Sequence, residues 1–301
     1  VKQAVLLVSH GTVDDLGDLA AFVTNVRRGH APSADLVAEL RRRYEAIGGR
    51  SPLNEINAEV ARKLEGILGV RVRWANRLWR PEVRDVVRQL SQEGVTRVVL
   101  LPLAQYSAAV YAEHARNAAL GLNVEVASVP NWGGVPELAE AFARRVTALL
   151  RNADLQRTSV VLTAHSLPQA VVDAGDPYER DVRAAADAVM ARVRAAMGCE
   201  VGSMVAFQSQ GMAASGRPTS WLGPTLDAAL ASCSARGDSG VVVAPIGFLA
   251  DHVEILYDLD IEARAQAEHR GLSFARIPSL NADDDFLAVL ALVAERHLSN
   301  D

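Results

Sequence analysis

Apolar residues fall along the chain in two alternating patterns. Short continuous runs at 4–8, 98–101, 159–163 and 240–245 predict strands buried on both faces, and further strands are expected at 70–75, 124–129, 203–208 and 273–277. Between them apolar positions recur every three or four residues, which predicts helices at 14–26, 34–47, 54–68, 81–93, 107–120, 136–151, 178–197, 224–235, 251–266 and 284–299. Ser33 is placed to cap the second helix, and Gly94 to end the fourth. Strands alternating with helices imply parallel sheets covered on both faces. The polar stretch 152–158 has no strong period and sets the expected boundary between an N-terminal α/β domain, 1–153, and a C-terminal one, 154–301. The glycine- and serine-rich stretch 211–220 reads as a loop.

Two strands end alike. The run 160–164 leads to His165, then Ser166, Leu167 and Pro168; the run 4–8 leads to Ser9, His10 and Gly11. Deeper in each half, 98–103 resembles 241–246, each a strand with proline near its carboxyl end. This reads as an internal duplication of two α/β halves. Open α/β sheets keep ligands at the carboxyl ends of their strands. A single histidine there is most simply a turn residue bonded to backbone; two at equivalent ends point to a shared site.

Composition narrows the function. Half of the 301 residues are hydrophobic, the net charge is −5, and no basic stretch suits a nucleic-acid groove. Cys199 and Cys233 are too few for a disulfide framework or an iron–sulfur cluster. Both are expected reduced, in a cytoplasmic protein. No apolar run is long enough to span a membrane. With the first strand expected almost at once, no signal peptide is expected, and the missing initiator methionine suggests a trimmed or partial sequence.

The densest chemistry lies at 245–262. On an unbroken helix Glu254, Asp258 and Glu262 form one acidic stripe, with Asp251 and His252 at its start. Such a stripe is either a solvated face or a path for a hard divalent cation, which prefers oxygen ligands. A strand-end histidine and a helical glutamate suit Fe²⁺ or proton transfer. The chain has no HExxH, CxxC, P-loop or GxSxG motif, and no GxGxxG after the first strand.

Several stretches together resemble the ferrochelatases, in order and over nearly the whole chain. They are Arg27-Arg28-Gly29, the run 43–53 from Arg43-Tyr44 to Ser51-Pro52-Leu53, Gln105-Tyr106-Ser107, Ala164-His165-Ser166-Leu167-Pro168, Gly175-Asp176-Pro177-Tyr178, Gln208-Ser209, Trp221-Leu222-Gly223-Pro224 and the run 247–258 containing Asp251-His252-Val253-Glu254. The resemblance implies two similar Rossmann-like domains, each a parallel sheet flanked by helices, in a chelatase-like α/β fold. It implies insertion of Fe²⁺ into protoporphyrin or coproporphyrin in haem biosynthesis, by a cytoplasmic monomer with no prosthetic group. His165 and Glu254 take the metal and proton roles. Asp258 and Glu262 form an outer row that binds Mg²⁺ or relays metal. Arg27, Arg43, Tyr44 and Ser51 map to porphyrin contacts, although surface solvation explains the two arginines equally well without the resemblance.

The chain departs from that family at His10, usually tyrosine or apolar, and at Val13, usually proline. His114 aligns with a second family tyrosine. His10 also resembles a metal ligand of the smaller sirohydrochlorin cobalt and nickel chelatases. His10 and His114 are therefore expected beside the macrocycle, with His10 able to ligate product iron. A cobalt or nickel chelatase of another tetrapyrrole, or a haem-binding protein without turnover, are the alternatives.

Overall fold

The computed structural model describes residues 2–154, 156–210 and 220–298, so most of the glycine- and serine-rich stretch lies outside the described residues. The chain forms two compact units, Val1–Trp132 with Asn281–Asp301, and Gly133–Leu280.

In the first unit the strands are β1 Gln3–Ser9, β2 Arg71–Asn76, β3 Arg97–Pro102 and β4 Glu125–Ser128. They form a parallel sheet in the order β2-β1-β3-β4. Its helices are α1 Leu19–Val26, α2 Ala34–Ala46, α3 Leu53–Leu68, α4 Val83–Gln92, α5 Ala108–Ala118 and α12 Asp284–Glu295, the last helix of the chain. Successive strand residues face opposite sides, so an unbroken apolar run needs cover on both. Leu6, Val8, Val98 and Leu100 are fully buried with Val87 and Leu90 of α4 and Ala115 of α5. Burial of each Leu or Val side chain contributes about 1.5–3 kcal/mol.

The second unit repeats the arrangement. Its strands are β5 Thr158–His165, β6 Ser203–Gln208, β7 Gly240–Ala244 and β8 Ser273–Arg276. They are parallel, in the order β6-β5-β7-β8. Around them lie α6 Pro136–Leu150, α7 Gln169–Asp173, α8 Tyr178–Met197, α9 Leu226–Ala235, α10 Val253–Leu256 and α11 Arg264–His269, with a π-helical turn, Asp258–Ala263, between the last two. Val161, Val241 and Val243 pack with Leu226 and Leu230 of α9 and with Ile255, Leu259, Ala263 and Ala267.

Two expectations are corrected. The units do not meet at 153/154: α6 packs on α8 and β7 in the second unit, and α12 on α3 in the first. An amphipathic helix follows whichever face buries its apolar side, here Leu138, Phe142, Val146 and Leu150 of α6. The helix expected at 251–266 is also broken. Asp251 and His252 precede α10, and the turn after it closes from Glu262 N–H to the Tyr257 carbonyl at 3.0 Å. A five-residue closure takes one residue more than an α turn, so a four-residue step no longer guarantees a shared face.

Candidate active site

His165 is the last residue of β5 and pairs in the sheet with Gln208 of β6. Its carbonyl accepts the Tyr178 hydroxyl at 2.8 Å, which ties the strand end to the start of α8. On the β7 side, Gly247 N–H donates to the Thr163 carbonyl at 3.0 Å. A Cβ at 247 would lie 2.6 Å from Cα of Ala164, so only glycine lets this turn approach the strand that carries His165.

Nδ1 of His165 lies 3.1 Å from Glu254 Oε2, and about a third of each side chain is exposed. Burial opposes a charge on His165, but the Glu254 carboxylate outweighs it, with Asp258 adding, and raises the pKa above the ordinary imidazole value. Burial likewise opposes the charge on Glu254; His165 and then His252 overcome it and hold the carboxyl well below its usual range. The site therefore favours an imidazolium–carboxylate pair. His252 stands beside it, Nδ1 3.0 Å from the Ala250 carbonyl and Nε2 3.7 Å from Glu254 Oε2.

The three carboxylates of the expected stripe have three surroundings. Glu254 meets His165; Asp258 Oδ2 accepts the Ser209 hydroxyl at 2.5 Å; Glu262 is exposed. Asp260, outside the stripe, is gripped by Arg276 through two contacts of 2.7 Å, and Asp251 accepts from Ser279 at 2.6 Å. Among the described residues, no group of three or more His, Cys, Asp or Glu side chains is placed to hold a metal ion. His165 and Glu254 are a hydrogen-bonded pair.

The other expected residues lie in the first unit. His10 is exposed just past β1, and its carbonyl accepts Leu78 N–H at 3.1 Å. Arg27 Nε donates to the His30 carbonyl at 3.3 Å. Arg43 pairs with Glu39 at 2.8 Å on α2; bonds from Arg42 and then Arg43 hold that glutamate at about 2. Tyr44 is buried, its hydroxyl 2.8 Å from that of Thr12. Ser51 is also buried, and its Oγ accepts Leu53 N–H at 3.4 Å. Burial and then the nearby Arg77 charge lower the pKa of His114, against the pull of Glu82.

Sequence patterns missed a buried polar network behind the end of β1. Ser9 donates to Asn76 Oδ1 at 2.6 Å and accepts Asn57 Nδ2 at 2.9 Å; Asn76 Nδ2 donates to Asn54 Oδ1 at 3.0 Å, and Asn54 reaches Asp14 at 2.9 Å. The signal was present: Asn54, Asn57, Ala61 and Leu64 share one buried helical face.

Known proteins resemble this chain along nearly its whole length. A protein named Ferrochelatase from Herpetosiphon aurantiacus is 32% identical over 97% of this chain and 98% of its own length. Another of that name, from Thermus thermophilus, is 33% identical over 97% and 98%. A protein named Coproporphyrin III ferrochelatase from Anoxybacillus flavithermus is 31% identical over 98% and 96%. Among solved structures, SirB from Bacillus subtilis with Fe3+ shares the fold with a TM-score of 0.61 at 15% identity, covering 100% of this chain and 97% of its own. CbiX, described as the terminal enzyme for biosynthesis of siroheme in denitrifying bacteria, gives 0.53 at 15% identity over 98% and 99%. Both structural likenesses show the chelatase-like, two-sheet fold. The profile described as Ferrochelatase matches residues 2–298, and with those full-length relatives it settles the kinship: the chain belongs to the ferrochelatase family.

Proposed function

We propose that this chain inserts Fe²⁺ into a porphyrin, protoporphyrin or coproporphyrin, with His165 and Glu254 handling metal and pyrrole protons. The observation that carries the reading is the His165–Glu254 pair at a strand end, 3.1 Å apart, in a chain matched to ferrochelatases along nearly its whole length. With Nδ1 on Glu254, Nε2 is the nitrogen left to ligate or to take a proton, and the carboxylate orients the ring and raises its basicity. A porphyrin gives up two pyrrole protons as metal enters. The neutral imidazole accepts one of them at Nε2, where the flanking carboxylate stabilises the cation so formed, and the other passes to solvent water. An ion shedding water needs replacement oxygen and nitrogen ligands, which the Glu254 carboxylate and the imidazole Nε2 supply.

In the same reading Asp258 and Glu262 relay metal or hold Mg²⁺, and no prosthetic group is required. Arg27, Arg43, Tyr44 and Ser51 contact the porphyrin and its carboxylates, and His10 and His114 face the macrocycle. The chain acts as a cytoplasmic monomer; among the described residues no helix is long and apolar enough to cross a membrane. The test is metal insertion with Fe²⁺, Zn²⁺, Co²⁺ and Ni²⁺ into protoporphyrin, coproporphyrin and sirohydrochlorin. Fe²⁺ insertion into one of the first two is expected. Insertion confined to Co²⁺ or Ni²⁺ with sirohydrochlorin, or porphyrin binding without insertion, would contradict it.

A further inference from the structure

The strand beside His165 ends in two neutral residues that reach toward both partly buried carboxylates. Gln208 closes β6, and its carbonyl accepts Ser166 N–H at 2.7 Å. Its side chain is 5% exposed, and Nε2 donates to the main-chain carbonyl of Glu254 at 3.1 Å. That carbonyl lies between the last bond of α10, Tyr257 N–H to Val253 at 2.8 Å, and the wider closure on Tyr257. Ser209 follows with φ 54°, a left-handed conformation that costs every residue except glycine. Its hydroxyl donates to Asp258 Oδ2 at 2.5 Å and lies 3.4 Å from Gln208 Nε2.

Neither arrangement is what folding alone would favour. The serine keeps a strained backbone, and Gln208 Oε1 is buried with no hydrogen-bond partner among the described residues. Strain and an unpaired buried acceptor, retained next to a charged pair, point to a role beyond packing. We propose that Gln208 and Ser209 are positioning residues for metal uptake. The Gln208 amide sets the main chain that carries Glu254, and the Ser209 hydroxyl orients Asp258, so both carboxylates are held in register with His165. The ligand class is a divalent transition-metal ion that takes imidazole and carboxylate donors. This inference rests on the metal-inserting reading above.

The test pits function against stability. Ser209→Gly removes the hydroxyl and relieves the left-handed backbone; Gln208→Met keeps a side chain of similar length and removes the donor together with its unpaired acceptor. Each variant should melt no lower than the wild type. Co²⁺ titrated into the full chain, followed by its visible absorption, should bind Ser209→Gly roughly ten- to a hundredfold more weakly, the weight of one lost hydrogen bond to a charged group. In insertion kinetics the metal KM should rise more than kcat falls. Gln208→Met should instead act mainly on kcat, because Glu254 loses its support. With Asp258→Asn already in place, Ser209→Gly should add nothing. Unchanged Co²⁺ affinity, a lower melting temperature as the sole effect, or equal effects of Ser209→Gly with and without Asp258 would overturn the proposal. Co²⁺ binding needs no porphyrin, so a wild type that binds Co²⁺ but inserts no metal defeats the insertion reading while Ser209→Gly still decides this one. A wild type that binds no Co²⁺ overturns both.

Discussion

β1 and β5 each lie second in a four-stranded parallel sheet, and each leads to a histidine. Val8 of β1 pairs with Pro102; Leu162 of β5 pairs with Ala244, one residue before Pro245. Measured from those prolines, His10 and His165 stand at the same level of their sheets. Their surroundings differ. Past β7 the chain returns with Gly247, His252 and Glu254, and the carboxylate meets His165 at 3.1 Å. Past β3 it returns with Gln105, Tyr106 and Ser107, none of them charged near neutral pH. Behind β1 the buried polar groups are amides and hydroxyls that bond one another, and the network reaches a carboxylate only at its far end, where Asn54 donates to Asp14. Topology thus fixes where a strand-end residue stands, and in the second unit the loop after the third strand brings a carboxylate to it.

The largest expected contrast is in turnover. His165→Ala should cost about 10²–10⁴-fold in insertion rate, the usual weight of a general acid–base group. His10→Ala should cost far less and act on the spectrum and affinity of the iron–porphyrin product. A loss at His10 as large as at His165 would break the comparison. Next come the two glycine seats. Gly247→Ala forces a Cβ to within 2.6 Å of Ala164 and should destabilise by about 1–3 kcal/mol in thermal or denaturant unfolding. Gly11→Ala, at φ +113° with Cβ neighbours at 3.1 and 3.2 Å, should cost about 1–2 kcal/mol. Asn76→Ala strips a buried amide from its network and should lower stability by about 1–3 kcal/mol while leaving Co²⁺ affinity unchanged.

A pH series sharpens the contrast further. The raised pKa of His165 means that the stability it lends is complete below its ordinary value of 6.5 and is lost as pH climbs through the folded value. The depressed pKa of Glu254 lends stability above its ordinary 4.5 and loses it as pH falls through the folded value. The pair is therefore most stabilising between those two ordinary values. Chemistry needs the neutral imidazole, so insertion should rise with pH through the raised His165 value. Glu254→Gln should lower the plateau and move that limb to lower pH, whereas His10→Ala should leave the limb in place. The smallest effect is expected at exposed Glu262, where Glu262→Gln should raise the metal concentration needed without changing the limb.

Much of this was legible in the sequence. The strands were, because runs such as 4–8 and 159–163 have no polar face to expose. His165 and Glu254 were legible as residue types with a known partnership, and the resemblance joined them across 89 residues. The π turn was not, because Glu254, Asp258 and Glu262 at four-residue spacing satisfy an ordinary helix; only the closure on Tyr257 shows otherwise. The allegiance of α6 and α12 was not, because an amphipathic pattern gives the face a helix buries and not the sheet it buries it against. Gln208 and Ser209 were visible as a motif, but their bonds to Glu254 and Asp258 depend on a backbone turn that no period encodes.

The role of His165 is tested most directly by steady-state Fe²⁺ insertion and porphyrin affinity, measured together in wild type and His165→Ala. The expected result is a wild type that makes iron porphyrin and a variant whose insertion rate falls by about a hundredfold or more while its porphyrin affinity stays within a few-fold. Equal insertion rates in the two proteins, or loss of porphyrin binding in step with rate, would contradict the assignment of metal and proton handling to His165.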